Sequence, residues 1–210
     1  MPSKIIIEPH YWPSLSAVAA CIQSYELQLD MNYYYYKRSY INRCRIHGPN
    51  GVQLLTIPLV KGKHQGTPIA HLRIAYHQPW QDNHLRSIRA AYGSAPYFDH
   101  YIDEVEQFYK DPVDLLADLL WRQYMWIIEQ VGREYQLSKT ETYVESFPND
   151  FYDARSKFQL RSTQQNFPSY SHVWDDRSSF ISDLSFLDAL FHLGPSLSAY
   201  LDGLSVASSS

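Results

Sequence analysis

The chain has 210 residues, enough for one domain with a sizeable buried core. It carries 18 basic and 22 acidic residues, and this net negative charge argues against a nucleic-acid partner. No apolar run approaches the roughly 18 residues of a membrane span, and Ile5–Ile7 is too short for a secretory signal. We therefore expect a soluble, cytoplasmic protein without a membrane span.

The N-terminal third begins with a strand, a helix and a second strand. Lys4–Ile7 is β-branched and predicts a strand, Ser14–Gln23 has a capping serine and helical apolar spacing, and Glu26–Met31 alternates as a strand does. This order places His10 and Tyr11 just beyond the carboxyl end of the first strand, where open sheets often bind ligands.

Tyr40–Leu59 predicts a β-hairpin. Its turn is the four-residue cluster Gly48–Gly51, which has Asn-Gly at its end. Strand alternation puts Arg43 and Arg45 on the same face of the first strand, so their guanidinium groups lie close together. The second strand, Val52–Leu59, is almost wholly apolar and predicts burial on both faces.

Residues 31–81, which surround this hairpin, contain no Asp or Glu. Seven of the 18 basic residues fall there: Lys37, Arg38, Arg43, Arg45, Lys61, Lys63 and Arg73. Such an asymmetry in a negatively charged chain indicates a local anion site. The alternative is that these residues are solvated, or are paired with carboxylates from elsewhere in the fold.

The rest of the chain is predicted to be mainly helical. The predicted elements are a strand over Ile69–Tyr76, helices over Trp80–Gly93, Pro96–Tyr109 and Pro112–Val131, a short strand over Thr140–Val144, and a final helix from Ser182 to Gly194. We predict an α+β fold with a mixed β-sheet of four or five strands flanked by helices; the alternative is a three-layer α/β fold. Residues 1–204 form the single predicted domain, and residues 205–210 a frayed tail.

Two carboxylates in the last predicted helix have different expected roles. Asp183 lies at its first turn and favours the helix dipole. Asp188 lies in an apolar stretch, so if buried it needs a partner, and an arginine from the basic strand is the natural candidate.

Neither cysteine has the spacing of a metal ligand or an evident base beside it. Cys21 and Cys44 are expected to be buried, and Cys44 points away from Arg43 and Arg45. The spacing of the histidines at 64, 71 and 77 matches no metal motif, so no metal is predicted, and no cofactor motif is present.

Five stretches together resemble the WbqC-like family of bacterial proteins. They are Pro9–Pro13, Lys37–Ile46, Asn50–Pro58, His84–Pro96 and Phe180–Gly194. The resemblance implies a bacterial protein linked to lipopolysaccharide or other surface-glycan synthesis. Longer members carry a Gly-rich segment before the C-terminal stretch, which this chain lacks, and its absence would suit a protein that binds without catalysing.

We therefore predict an anion-accepting cleft lined by His10, Tyr11, Arg38, Asn42, Arg43, Arg45 and His84. In the first hypothesis the protein is a group transferase on a phosphorylated or nucleotide-activated sugar or an acyl-carrier substrate. The arginines bind the anion, Asn42 orients it, and His10 or His84 is the acid/base. In the second it is a non-catalytic scaffold or binding protein of a glycan-assembly complex, with the tyrosine-rich surface as its interface.

Overall fold

A computed structural model describes residues 4–160 and 166–204. Its strands are β1 Lys4–Ile7, β2 Glu26–Leu29, β3 Arg43–Gly48, β4 Gly51–Thr56, β5 Gln136–Lys139 and β6 Phe151–Asp153. Its α-helices are α1 Leu15–Ile22, α2 Trp80–Tyr92, α3 Phe98–Lys110, α4 Leu116–Val131, α5 Phe186–Leu193 and α6 Leu197–Asp202. The predicted tail, 205–210, lies outside the described residues.

The fold class is α+β, as predicted. Four strands form a parallel sheet in the order β5-β2-β1-β6, and β3 and β4 form a separate antiparallel pair. Helices predominate after residue 80. In β1 the side chains of Ile5, Ile6 and Ile7 are fully buried, as expected for an inner strand of a parallel sheet.

Local signals explain the elements that the sequence predicts well. Ser14 caps α1 by accepting a hydrogen bond from the Ala17 N–H, and α4 ends at Gly132, which is left-handed with φ 71°. The hairpin turn is Pro49-Asn50, between paired Gly48 and Gly51.

Two predicted strands are wrong or misplaced, and a third is present but less buried than predicted. Ile69–Tyr76 forms a 3₁₀ turn at Ile69–His71 followed by isolated bridges, and the strand predicted at Thr140–Val144 lies earlier, at β5. The apolar strand of the hairpin is not buried on both faces, because Val52 and Leu54 are each 45% exposed. Its outer face is only partly covered by the described residues, so apolar composition alone misled the prediction.

Backbone hydrogen bonds from residues 184–186 connect α1 to the β3–β4 hairpin. The Leu15 N–H donates to the Leu184 carbonyl, the Phe186 N–H to Pro13, and the Ser185 N–H to Arg45. The final helix begins at Phe186 with Ser185 as its cap, not at Ser182.

Asp183 therefore does not lie in the first turn of this helix, contrary to the prediction. Its carboxylate accepts hydrogen bonds from the backbone N–H and the hydroxyl of Ser16, at the start of α1. Burial raises its pKa, although these hydrogen bonds oppose the shift. Asp183 thus satisfies the first turn of a helix far away in sequence.

Candidate functional site

Three of the predicted anion-binding arginines line one surface cavity, which we call the arginine pocket. Arg43 and Arg45 come from the outer face of β3, and Arg38 comes from the turn before it. The cavity has a volume of about 350 Å³, and its remaining walls are Val52, Leu54 and Leu160. Alternation along β3 places both arginines on this face while Cys44 and Ile46 are buried on the other.

None of the guanidinium groups of this pocket forms an ion pair within the described chain, although the charge of Arg45 acts on the buried Asp183 carboxylate and opposes the rise of its pKa. Within the described chain, no Asp or Glu oxygen lies within 4.0 Å of Arg38, Arg43 or Arg45. The Nε of Arg43 is buried and has no hydrogen-bond acceptor among the described residues. A buried donor without an acceptor is costly, so this atom is a natural contact for a bound anion.

The other two arginines are held in distinct ways. Arg45 lies close enough to the Tyr40 hydroxyl for its charge to oppose partly the effect of burial, which raises the pKa of Tyr40 to about 12. Arg38 has a left-handed backbone, with φ 62°. This conformation is uncommon outside glycine and costs about 1 kcal/mol. Backbone strain at an exposed arginine favours a functional explanation for its position.

Asn42 does not line the arginine pocket. It is buried, its side-chain amide donates to the Ile57 carbonyl at 2.8 Å, and its oxygen accepts from the Tyr35 hydroxyl at 3.3 Å. The backbone carbonyl of Asn42 accepts from the Ile57 N–H as well. Asn42 therefore joins the two ends of the hairpin, because all these bonds are internal.

Tyr11 and His84 meet each other, but in the core and away from the arginine pocket. The Tyr11 hydroxyl lies 2.9 Å from His84 Nδ1 and 2.6 Å from the Tyr109 hydroxyl, and Trp12 Nε1 donates to Tyr109 at 2.9 Å. Since the indole N–H can only donate, Tyr109 accepts from Trp12, whereas either hydroxyl can donate between Tyr109 and Tyr11, and the direction between Tyr11 and His84 depends on the His84 tautomer. His84 also borders a groove of about 410 Å³ between β4 and α2.

His84 gives the protein a pH-dependent stability. Burial lowers the pKa of His84 from 6.5 to about 4, although the Thr56 carbonyl beside it partly opposes the shift. Between those values the unfolded chain binds more protons than the folded one, so stability falls as the pH falls. The expected loss over this window is about 3 kcal/mol.

Chemical denaturation at pH 6.5 and at about pH 4 tests this, using wild type, His84→Gln and the exposed control His77→Gln. On acidification we expect His84→Gln to lose about 3 kcal/mol less free energy of unfolding than wild type loses. His77→Gln should lose as much as wild type. Equal acid sensitivity in all three proteins would show that His84 is not responsible.

His10 is fully buried beyond the carboxyl end of β1. Its Nε2 lies 3.4 Å from a Glu8 carboxylate oxygen, and neither ring nitrogen has a hydrogen bond within the described chain. The Glu8 carboxylate accepts from the Tyr36 hydroxyl and the Ser156 N–H, each at 2.9 Å. His10 therefore packs against Tyr40 and does not line the arginine pocket.

The sequence analysis did not predict a buried charge network that lies, like His10, beyond the carboxyl ends of the parallel strands. Arg155, just after β6, donates to Asp30 at 3.0 Å, to Asp153 and to the carbonyls of Val144 and Glu145. Asp30, just after β2, is fully buried and also accepts from the Thr140 hydroxyl. Asp30 lies inside the predicted strand Glu26–Met31, one residue beyond the end of the observed β2, whereas Arg155 lies in a segment without any periodic pattern.

Asp188 is buried, but the prediction that an arginine is its partner is wrong. The Tyr170 hydroxyl donates to its carboxylate, and the Nδ1 of His192 donates to its backbone carbonyl at 2.7 Å. His192 Nε2 accepts from the Val173 N–H, so this histidine is neutral with both nitrogens occupied. The Asp188 cluster holds residues 170–173 against α5 and makes no contact with the hairpin arginines.

Neither cysteine is suited to nucleophilic chemistry. Both thiols are free and buried, and burial raises the pKa of Cys21 to about 12 and that of Cys44 well above its usual value. Such thiols are poor nucleophiles. Over residues 4–160 and 166–204, no group of three or more His, Cys, Asp or Glu side chains is placed to hold a metal ion.

Comparison with known proteins gives one match. The model of the WbqC-like protein family matches residues 9–149. Neither the curated proteins nor the solved structures yielded a match. The matched region contains the whole arginine pocket except Leu160. No helix in the described part of the chain is long and apolar enough to cross a membrane.

Proposed function

This chain belongs to the WbqC-like protein family, and on that premise we propose that it is a bacterial protein of surface-polysaccharide synthesis that binds a phosphorylated substrate in the arginine pocket. One observation carries the proposal: three guanidinium groups without carboxylate partners surround one cavity. Arginines suit phosphate because their planar forks donate two parallel hydrogen bonds to it.

The cavity also suits the size of such a ligand. About 350 Å³ is at the lower end of small-molecule sites, so the cavity holds a phosphate or diphosphate with part of the attached sugar. A nucleotide-activated sugar is larger than this cavity and would extend beyond it, with Val52 and Leu54 as its apolar wall. As the first candidate function, we infer that the protein is a group transferase.

A binding protein without catalytic activity is the second reading, and the placement of the two histidines favours it. A general acid or base must reach the reacting atoms within about 3 Å. Neither His10 nor His84 lines the arginine pocket. Turnover of a nucleotide sugar by the purified protein would support the transferase, and binding without turnover the second reading.

Binding itself is tested by thermal shift with inorganic phosphate, nucleotide sugars and acyl-CoA. We expect a phosphorylated compound to stabilise wild type, and Arg43→Gln to weaken its affinity by about tenfold or more, since a hydrogen bond to a charged group contributes about 1.5–3 kcal/mol. Arg38→Gly is the second variant, because it removes a guanidinium and relieves the left-handed strain, so it folds at least as well as wild type.

The exposed Arg86, which bonds Asn83 on α2, provides the control Arg86→Gln. This control should bind as wild type does. If no phosphorylated compound stabilises the wild type, or if Arg43→Gln and Arg38→Gly bind as tightly as Arg86→Gln, the arginine pocket is not the site.

A further inference from the structure

Most of the basic residues in the acid-free segment, residues 31–81, form no ion pair within the described chain. Of its seven basic residues, only Arg73 has a carboxylate partner within the described chain, Asp114. Outside that segment the described chain has ten basic residues, and seven of them form an ion pair. The segment is thus a region of positive charge on a protein of net charge −4, with Arg73 paired to Asp114 and the charge of Arg45 acting on Asp183.

These unpaired cations lie on neighbouring loops around the arginine pocket. The loop over 60–67, which carries Lys61 and Lys63, packs against the tyrosine turn: the Gly66 N–H donates to the Tyr35 carbonyl and the Tyr35 N–H to Thr67. The Lys37 N–H donates to the Gln65 side chain at 3.3 Å. The charge of Arg43 lies close enough to Tyr35 to oppose the rise of its pKa, which burial causes.

Exposed aliphatic side chains accompany these cations. Leu54 lies opposite Arg45 in the hairpin, Val52 lines the same pocket, and Val60 begins the lysine loop; each is 44–45% exposed. We call the combined surface the basic face, and it comprises Lys37, Arg38, Arg43, Arg45, Lys61 and Lys63 with Val52, Leu54 and Val60. A soluble phosphate compound uses the guanidinium groups but has no use for the lysine loop or for Val60.

We propose that the basic face docks on an anionic phospholipid bilayer. Cations near such a surface contribute about 1 kcal/mol each, and aliphatic side chains add to this by entering the boundary between headgroups and acyl chains. The inference goes beyond the proposed function, because it depends on Lys37, Lys61 and Lys63, none of which lines the arginine pocket. Docking there brings the pocket to the membrane surface, so its ligand would be a lipid-linked or surface-delivered phosphate.

Co-sedimentation of the full chain with vesicles tests the proposal. One set is pure phosphatidylcholine and the other an equimolar mixture with phosphatidylglycerol. We expect binding to the anionic vesicles only, and a loss of binding at high salt. The variant Lys37→Gln/Lys61→Gln/Lys63→Gln should bind about 100-fold more weakly, as expected for three cations at about 1 kcal/mol each.

The matched control removes three exposed cations elsewhere, as Arg86→Gln/Lys110→Gln/Arg177→Gln, and has the same net charge. It should retain most of the binding, while Val60→Ser should lose roughly threefold through its aliphatic contact. Equal binding to both vesicle types, or equal loss in the two triple variants, overturns the proposal. So does a Val60→Ser protein that binds as wild type, since the attraction would then be purely Coulombic.

The outcome is separable from that of the proposed function. The lysine variant keeps all three pocket arginines, so its thermal shift with phosphate compounds should equal that of wild type. If the lysine variant loses vesicle binding but keeps its thermal shift with phosphate compounds, docking is supported. If it retains vesicle binding, docking is contradicted, and the proposal that the arginine pocket binds phosphate is unaffected.

Discussion

A chain ending at residue 149, where the family match ends, is expected not to fold. It lacks β6, which pairs with the inner strand β1, and α5, whose Phe186, Leu187 and Leu190 are fully buried. It also lacks the Asp183 carboxylate at the start of α1. These losses remove one edge of the sheet and part of the core at once, and far exceed the roughly 5–15 kcal/mol by which domains are stable.

Near-ultraviolet circular dichroism during a thermal melt measures this. We expect the chain of residues 1–149 to show no cooperative transition and no near-ultraviolet signal. The chain of residues 1–204 is the control and should melt as the full chain does. A cooperative melt of residues 1–149 near the full-chain temperature would show that the C-terminal stretch is an accessory and that residues 1–204 are not one folding unit.

Arg155→Met is expected to destabilise the protein by about 3–5 kcal/mol, the usual cost of breaking a buried ion pair. The Arg155 guanidinium is almost wholly buried, and it is the cation that faces the fully buried Asp30. Removing it leaves Asp30 charged in the interior with only the Thr140 hydroxyl and the Asn32 N–H as donors. Methionine keeps most of the side-chain volume, so the loss reports the charge and not a cavity.

Urea denaturation provides the measurement, with Arg122→Met as the control because its pair with Asp111 is at the surface and contributes about 1 kcal/mol or less. The double variant Asp30→Asn/Arg155→Met should recover part of the loss, since it removes the unpaired charge. If Arg155→Met costs no more than Arg122→Met, the Asp30–Arg155 pair does not stabilise this edge of the sheet.

The sequence predicted what local physics determines. The apolar run of β1, the Ser14 cap, the Gly132 stop and the hairpin turn each depend on a few neighbouring residues. The grouping of Arg43 and Arg45 followed from strand alternation alone. Arg38 lines the same pocket with a left-handed backbone, and nothing in the sequence around it indicated that conformation.

What the sequence could not predict depends on distant partners. β6 has three residues in a polar segment and is a strand because it pairs with β1. Tyr11 was expected to share a cleft with the arginines, but Tyr109, from a helix almost a hundred residues away, engages its hydroxyl in the core. Asp188 likewise found Tyr170 instead of an arginine, because residues 168–180 fold over α5. Such pairings are set by the topology.

A crystal structure grown with a nucleotide diphosphate sugar is the most direct test of the central claim, that the hairpin arginines gather around an external anion. We expect phosphate oxygens within hydrogen-bonding distance of Arg43 Nε and of the Arg38 and Arg45 guanidinium groups. A structure with carboxylate side chains paired to these three arginines, or with the phosphates bound elsewhere on the protein, would contradict it.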